Sequence, residues 1–425
     1  MIEEVKYIQL AQGVRLVLIR SGKFKTDLVS VYLKRPLDKA EATYNTLLAR
    51  VMERGTEQYP TTQSFNAHLD NLYGAMLYSD VTKIGELHIL QFKTQLPRSS
   101  WILDMNSLKE AIGILKEVIF EPALEEGAFI KAYVDQEIEN LKQEIESRTN
   151  DKATYAMDRM VEHMCPDEPY SAYTYGDVSF LEDMDAVKLY HHYLKVLKEA
   201  EIDIVVFGDF EFDKALTECK EAFAFSGART SLEVTSPWRS ELGKVKEIIE
   251  RTDVNQAKLV IGYRSVISGD HPLYYPAMLF STVLGGTPSS RLFNRVREKE
   301  SLCYYIQSKF DRFKGMLMVM AGIDKTSGTK VTELTDEILR DLIEGRVTQE
   351  ELEIAKKSIV SGLRSITDFP NSYSNFLFSQ LLSHEELDIE RIIDKVNQVS
   401  VDQMTEAGRT FVKDTWYMLT GEEDQ

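Results

Sequence analysis

Two stretches of this chain end in the same way. Ile202-Asp-Ile-Val-Val-Phe207 runs into Gly208-Asp209, and Trp416-Tyr-Met-Leu-Thr420 runs into Gly421. Each follows a helical pattern that begins behind a Val-Ser pair, Val178-Ser179 and Val399-Ser400. A chain that repeats one order of elements is constrained to fold as a duplicated α+β unit rather than as two unrelated domains. In the first copy, strands are expected at Arg15–Ile19, Leu28–Lys34, Ala75–Val81 and Leu87–Thr94. Its helices are expected at Tyr44–Glu53, Met105–Ile119, Glu125–Arg148 and Asp183–Lys198. The second copy has a strand at Lys258–Tyr263, an apolar helix at Tyr274–Leu284, and a hairpin of Gln307–Phe313 with Met316–Ala321 around Lys314-Gly315. Helices follow at Lys330–Glu344, Thr348–Ile366, Ser372–Leu382, Ile389–Gln398 and Val401–Val412. Between the copies, Gly227 to Trp238 has turn formers and no sustained period. The expected division is therefore residues 1–226, a linker at 227–245, and residues 246–425.

Composition narrows the partners. A net charge of −18 argues against nucleic acid or an anionic membrane and is compatible with a basic peptide. No apolar run reaches the length of a transmembrane helix. Met1 to Arg20 lacks the basic and apolar regions of a secretory signal. Cys165, Cys219 and Cys303 are few, odd in number and far apart, which suits a reducing cytoplasm better than a disulfide framework.

The most informative segment runs from Leu284 to Tyr304, Leu-Gly-Gly-Thr-Pro-Ser-Ser-Arg-Leu-Phe-Asn-Arg-Val-Arg-Glu-Lys-Glu-Ser-Leu-Cys-Tyr. Gly285-Gly286 is expected to stop a helix. Thr287 then caps a new one with Pro288 at its first position. Leu292, Phe293 and Val296 form the buried face, and Tyr304 falls near the start of the next strand. The stretch resembles the C-terminal-domain signature of the pitrilysin, insulinase and mitochondrial processing peptidase family, the M16 zinc peptidases. In that family an arginine and a tyrosine seven positions later reach toward the zinc site, and Arg297 and Tyr304 have that spacing. The resemblance implies that Tyr304 donates to the carbonyl oxygen that becomes an oxyanion and that Arg297 holds the substrate backbone.

In the first half the chain departs from the family pattern. Zinc-binding members carry His-x-x-Glu-His on a helix shortly before Gly-Thr-x-x-Tyr-Pro, two imidazoles on one helix face with a glutamate to activate water. The landmark is kept as Gly55-Thr-Glu-Gln-Tyr-Pro60, with Thr61 and Phe65 beyond it. Counting back from Gly55 places Thr46, Ala49 and Arg50 at the motif positions. Threonine is a poor ligand, alanine is no base, and arginine repels a cation. Glu144, in Asn140-Leu-Lys-Gln-Glu-Ile145, matches the family's third ligand but reads as a solvated or ion-paired carboxylate without its histidines. The likeness also takes in Tyr175-Gly-Asp177 and the Ile204–Asp209 strand.

Other histidines offer little. Arg159-Met-Val-Glu-His163 lacks the first histidine of the motif and follows the Glu144 helix instead of preceding the landmark. His191 and His192 are adjacent on a helix and point to different faces. His384-Glu-Glu386 reads as a loop or cap, and His68, His88 and His271 are scattered.

The resemblance implies two α+β domains of the LuxS and processing-peptidase type, each a mainly antiparallel sheet with helices on one face, together forming half of a clamshell. It also implies a heterodimer. This chain would bind no metal and would contribute Arg297 and Tyr304, while a His-x-x-Glu-His subunit would bring the zinc. Peptides or unfolded segments are the expected substrates, and a homodimer is allowed in isolation. The competing expectation is an inert structural or assembly subunit.

Overall fold

The computed structural model describes residues 2–101, 105–225, 229–234, 243–383 and 388–421. Residues 227, 228 and 235–242 of the expected linker, Trp238 among them, lie outside the described residues, as do His384, Glu385 and Glu386. In chain order the first half contains β1 (Ile2–Ala11), β2 (Val14–Ser21), β3 (Thr26–Pro36), α1 (Lys39–Met52), α2 (Thr62–Asn71), β4 (Met76–Ile84), β5 (Leu87–Pro97) and α3 (Ser107–Phe120). It continues with β6 (Leu124–Glu125), β7 (Ala128–Phe129), α4 (Lys131–Ser147), α5 (Lys152–Met164), α6 (Ala186–Glu199), β8 (Glu201–Gly208) and α7 (Phe212–Ala222). The second half contains β9 (Lys246–Arg251), β10 (Ala257–Arg264), α8 (Tyr274–Ser281), β11 (Cys303–Asp311), β12 (Met316–Ile323), α9 (Gly328–Ile343), α10 (Gln349–Ile366), α11 (Pro370–Leu382), α12 (Ile389–Gln398), α13 (Val401–Gly408) and β13 (Val412–Thr420).

Two compact units result, and each takes a segment from the other half of the sequence. The first comprises Met1–Ser147, Ala172–Glu233 and Thr367–Ser379; the second comprises Arg148–Ser171, Val234–Ile366 and Gln380–Gln425. The sheet of the first unit has the order β1-β2-β8-β3-β5-β4 and is antiparallel except where β2 meets β8. Strand alternation sorts its two faces. Val29, Val31 and Leu33 of β3, with Ile202, Ile204 and Val206 of β8, join Leu47, Leu48 and Val51 of α1 and Ile112, Leu115 and Ile119 of α3 in one buried core. Each such side chain contributes about 1.5–3 kcal/mol of burial. On the opposite face Tyr32 stacks on Phe378 of α11 with ring centroids 3.9 Å apart, and its hydroxyl donates to Asn375 Oδ1 at 3.2 Å. Buried Asp203 on that face is neutralised by Lys34 and Arg15, each at 2.7 Å.

The sheet of the second unit has the order β11-β12-β10-β13-β9, antiparallel except between β13 and β9. Helix α9 lies on one face, where Trp416 Nε1 donates to Thr332 Oγ1 at 2.9 Å. Helix α5 lies on the other. It comes so close that a Cβ on Gly262 would stand 2.7 Å from Met164 Sδ and 2.8 Å from Met160 Sδ. Buried Arg264 fixes the exchanged segment by donating to Met164 O (2.8 Å) and Glu168 (2.7 Å) while pairing with Asp414 (3.1 Å). Lys314 completes the cluster at 2.8 Å from Glu168. Breaking such a buried pair from one side costs about 3–5 kcal/mol.

Several expected bounds move for local reasons. The helix expected from Glu125 starts at Lys131, because Glu126 and Gly127 take positive φ and turn the chain between β6 and β7. The last helix ends at Gly408 instead of Val412, and residues 412–420 are strand. Strands β1 and β9 and helices α2, α5 and α7 add to the expected elements. Among the described residues, no helix is long and apolar enough to cross a membrane.

Candidate functional site

Helix α1 carries the positions that a metal would need. Its frame is fixed from both ends. A Cβ on Gly55 would lie 2.7 Å from Tyr59 O, so the landmark turn requires glycine. Gly176, at φ +87°, lies against Thr43 of α1, whose hydroxyl accepts from the Asp177 N–H at 2.9 Å. Within that frame Thr46 is buried, and its neutral hydroxyl, a poor zinc ligand, donates back to Ala42 O at 2.8 Å. Ala49 is buried, and its carbonyl accepts from Ser79 Oγ at 3.0 Å. Arg50 donates to Glu144 Oε2 of α4 at 2.5 Å, with side-chain exposures of 24% and 41%. A guanidinium therefore stands as the charge partner of the one carboxylate that matched a zinc ligand. These residues do not fit a divalent cation: one is a neutral hydroxyl, one carries only a methyl group, and the third is itself a cation.

The sequence reading missed how far this replacement extends. Arg54, four residues on, donates to Glu137 Oε1 at 3.0 Å, and Glu137 lies seven residues before Glu144 on the same helix. Arg50 and Arg54, four apart, and Glu137 and Glu144, seven apart, are each spaced to share one helix face, but only the packing of α1 on α4 brings the two faces together. Arg50 also lies over the Tyr175 ring at 5.7 Å. Burial, with the charges of Asp80 and Glu144 adding to it, raises the Tyr175 hydroxyl above its ordinary pKa. Burial likewise raises the Glu53 carboxyl, against the hydrogen bond it accepts from Ser79.

The Arg297 and Tyr304 segment belongs to the second unit. The helix ends at Gly286 as expected, with Thr287 extended, but its last turn is not α-helical. Helix α8 continues as a wide π-type turn over Thr282–Gly286, and Gly285 lets the β11 backbone approach, since a Cβ there would be 2.7 Å from Ser308 N. Thr287 Oγ1 accepts from the Ser289 N–H at 3.2 Å in a local turn, and helical geometry resumes at Arg291 rather than at Pro288. Residues Phe293–Lys299 are again π-type, with Glu300 N donating to Arg295 O at 3.1 Å. Such turns are rare and concentrate at functional sites.

Arg297, at 41% side-chain exposure, lies over the Phe293 ring at 4.6 Å and 3.8 Å from Glu298. Ser301 takes φ +54°, and the chain enters β11. There Cys303 pairs with Ile323 and Tyr305 with Gly322, so Tyr304 is the extra residue of a bulge. A bulge re-aims a side chain, and Tyr304 is 70% exposed with no hydrogen bond among the described residues. Burial pushes the neighbouring Cys303 thiol up to about 11, with Arg297 opposing.

The motif-like segment at 159–163 is structural: His163 lies 6.1 Å from the Tyr417 ring. Glu162 pairs with Arg148 (3.2 Å) and Arg159. His192 is buried against Asn45 (2.8 Å) while His191 is exposed. Among the described residues no group of three or more His, Cys, Asp or Glu side chains could hold a metal ion.

Residues 183–359 match the family model described as the peptidase M16 inactive domain. The probable inactive metalloprotease YmfF of Bacillus subtilis is 32% identical over 412 residues, covering 97% of this chain and 96% of that protein. The crystal structure of a conserved protein from Enterococcus faecalis superposes with a TM-score of 0.91 at 28% identity, covering 100% of both chains. A peptidase M16 inactive domain from Pseudomonas fluorescens gives 0.80 at 15% identity, also over 100% of both chains, a likeness of fold.

Proposed function

Because this chain belongs to the M16 peptidase family, we propose that it is the member of a heterodimeric peptidase that brings no metal of its own. The observation that carries this reading is a contrast between two places. Where zinc would bind, Arg50 is hydrogen-bonded to Glu144, whereas Tyr304 is exposed on a bulge with an unused hydroxyl. In this reading a His-x-x-Glu-His subunit supplies the zinc. Tyr304 donates to the oxyanion of the tetrahedral intermediate, and Arg297 binds the substrate backbone. Peptides and unfolded polypeptides are the substrates, the isolated chain forms at most a homodimer, and the cytoplasm is its compartment.

The test measures zinc content and peptide cleavage for the chain alone and mixed with a His-x-x-Glu-His relative from the same cell. The chain alone is expected to be metal-free and inert, and the mixture to cleave. Tyr304→Phe should lower kcat of the mixture by roughly 10²–10³, the usual cost of one oxyanion donor. Stoichiometric zinc in the chain alone would overturn the assignment of Thr46, Ala49 and Arg50. Full activity of an Arg297→Ala, Tyr304→Phe double variant would leave only a scaffolding role.

A further inference from the structure

Away from α1, the face of the first sheet that carries α11 holds a cavity of about 300 Å³. Leu28, Met76 and Tyr78 give it an apolar wall, and Lys93, Asn371 and Asn375 give it a polar end. Lys93 is only 5% exposed. Its ammonium donates to Asn371 Oδ1 at 3.1 Å and Asn375 Oδ1 at 2.7 Å, and no carboxylate lies within ion-pair distance among the described residues. An ammonium has three donors; the third has no hydrogen-bond acceptor among the described residues, and the ammonium lies 5.5 Å from the Tyr32 ring and 6.0 Å from the Tyr78 ring. Because both amide oxygens accept from Lys93, both amide NH₂ groups keep their donors, and neither has an acceptor among the described residues.

A buried cation without a counter-ion is costly. Here it is set beside an open volume, with further donors around it and an apolar wall opposite. We propose that this cavity binds a carboxylate carried on an apolar body, with Lys93 as the counter-charge and the Asn371 and Asn375 amides as added donors. Pockets of this kind, apolar with a few convergent polar groups, are ordinary ligand sites. The exposed Met76 and the half-exposed Tyr78 ring would then cover the ligand's apolar part.

The charges around Lys93 fit this assignment. Burial lowers its pKa to about 8, with Asp80 the opposing influence. Asp80 is already engaged, accepting from Tyr78 Oη at 2.8 Å and from Val81 N at 2.8 Å. Asp368, just before α11, pairs with Lys23 at 2.7 Å. Tyr32 and Tyr78 both have raised pKa values through burial and stay neutral. Lys93 is thus the group that titrates, and a bound carboxylate would raise its pKa.

The probe is N-acetyl-phenylalanine titrated calorimetrically into the full chain, compared with its carboxamide and with 3-phenylpropionate. At pH 7 the acid should bind at least about tenfold more tightly than the amide, the usual scale for a charged hydrogen bond. That preference should fade as pH rises above about 8. At pH 8 the measured heat should depend on the buffer's ionisation enthalpy, because binding takes up a proton. Lys93→Met should erase the preference for the acid; if that variant does not fold, the acid and amide comparison on the unaltered chain decides alone. Equal affinity of 3-phenylpropionate and N-acetyl-phenylalanine points to a free acid, and tighter binding of the latter to a peptide C terminus. Either supports the site. Equal binding of acid and amide, or no binding of either, overturns it.

Discussion

Arg50 shows how one side chain can retire a metal site without collapsing the helix that carried it. Its guanidinium satisfies Glu144, while the charges of Glu137 and Asp80 bear on the nearby Glu53 of the same helix end. The pair is partly exposed, so its contribution to stability is small. A double-mutant cycle of Arg50→Met with Glu144→Gln is expected to give a coupling below about 1 kcal/mol. Denaturation midpoints would measure it, and a coupling above about 3 kcal/mol would mean a desolvated pair. The substitutions themselves were legible, since the Gly55 landmark fixes the count back to Thr46, Ala49 and Arg50. The contact was not, because Arg50 and Glu144 meet only through the packing of α1 on α4. Nor could spacing reveal that Tyr304 occupies a bulge, which depends on the register between β11 and β12.

Between elements, α1, β5 and α6 are joined by a chain of neutral polar groups. His192 Nε2 donates to Asn45 Oδ1 (2.8 Å), Asn45 Nδ2 donates to His88 Nδ1 (3.0 Å), and His88 Nε2 donates to Thr174 O (2.9 Å). Burial lowers both histidines to about 4, against about 6.5 in an unfolded chain. Between those values the unfolded chain binds more protons, so stability is full above about pH 6.5 and is lost as pH falls toward 4. From pH 7 to pH 5 the loss should be on the order of 2 kcal/mol per imidazole, and His192→Phe should flatten the profile. A wild-type midpoint that does not move over that interval would refute this. Elements with a strong period or a pure apolar run, such as α9 and β8, were legible. Helix α5 was not, although Ala156, Met160, Val161 and Met164 have helical spacing, because it follows α4 after only a short turn. Strand β9, Lys-Glu-Ile-Ile-Glu-Arg, is an edge strand and carries charges where a central strand would be apolar.

On the scale of the whole molecule, the duplication was legible but the exchange of segments was not. Chain order puts α5 in the first half and α11 in the second, whereas packing assigns α5 and most of α11 to the opposite units. Residues 1–226 expressed alone would leave Tyr32 and Lys93 without α11, and residues 246–425 alone would leave Arg264 without Glu168. Each fragment is expected to aggregate or stay partly unfolded, and coexpression to restore a soluble complex. Dispersed spectra and a cooperative transition for either fragment alone would contradict this. The exchange also sets a timetable on the ribosome. The last strand of the first sheet is translated with β8, yet the helix that covers Tyr32 emerges only with Phe378. At about 5–20 residues per second, the nascent chain carries that face uncovered for on the order of ten to thirty seconds. That face therefore has no cover of its own during this interval, and slowing translation between β8 and α11 should lower the yield of folded chain more than slowing it elsewhere.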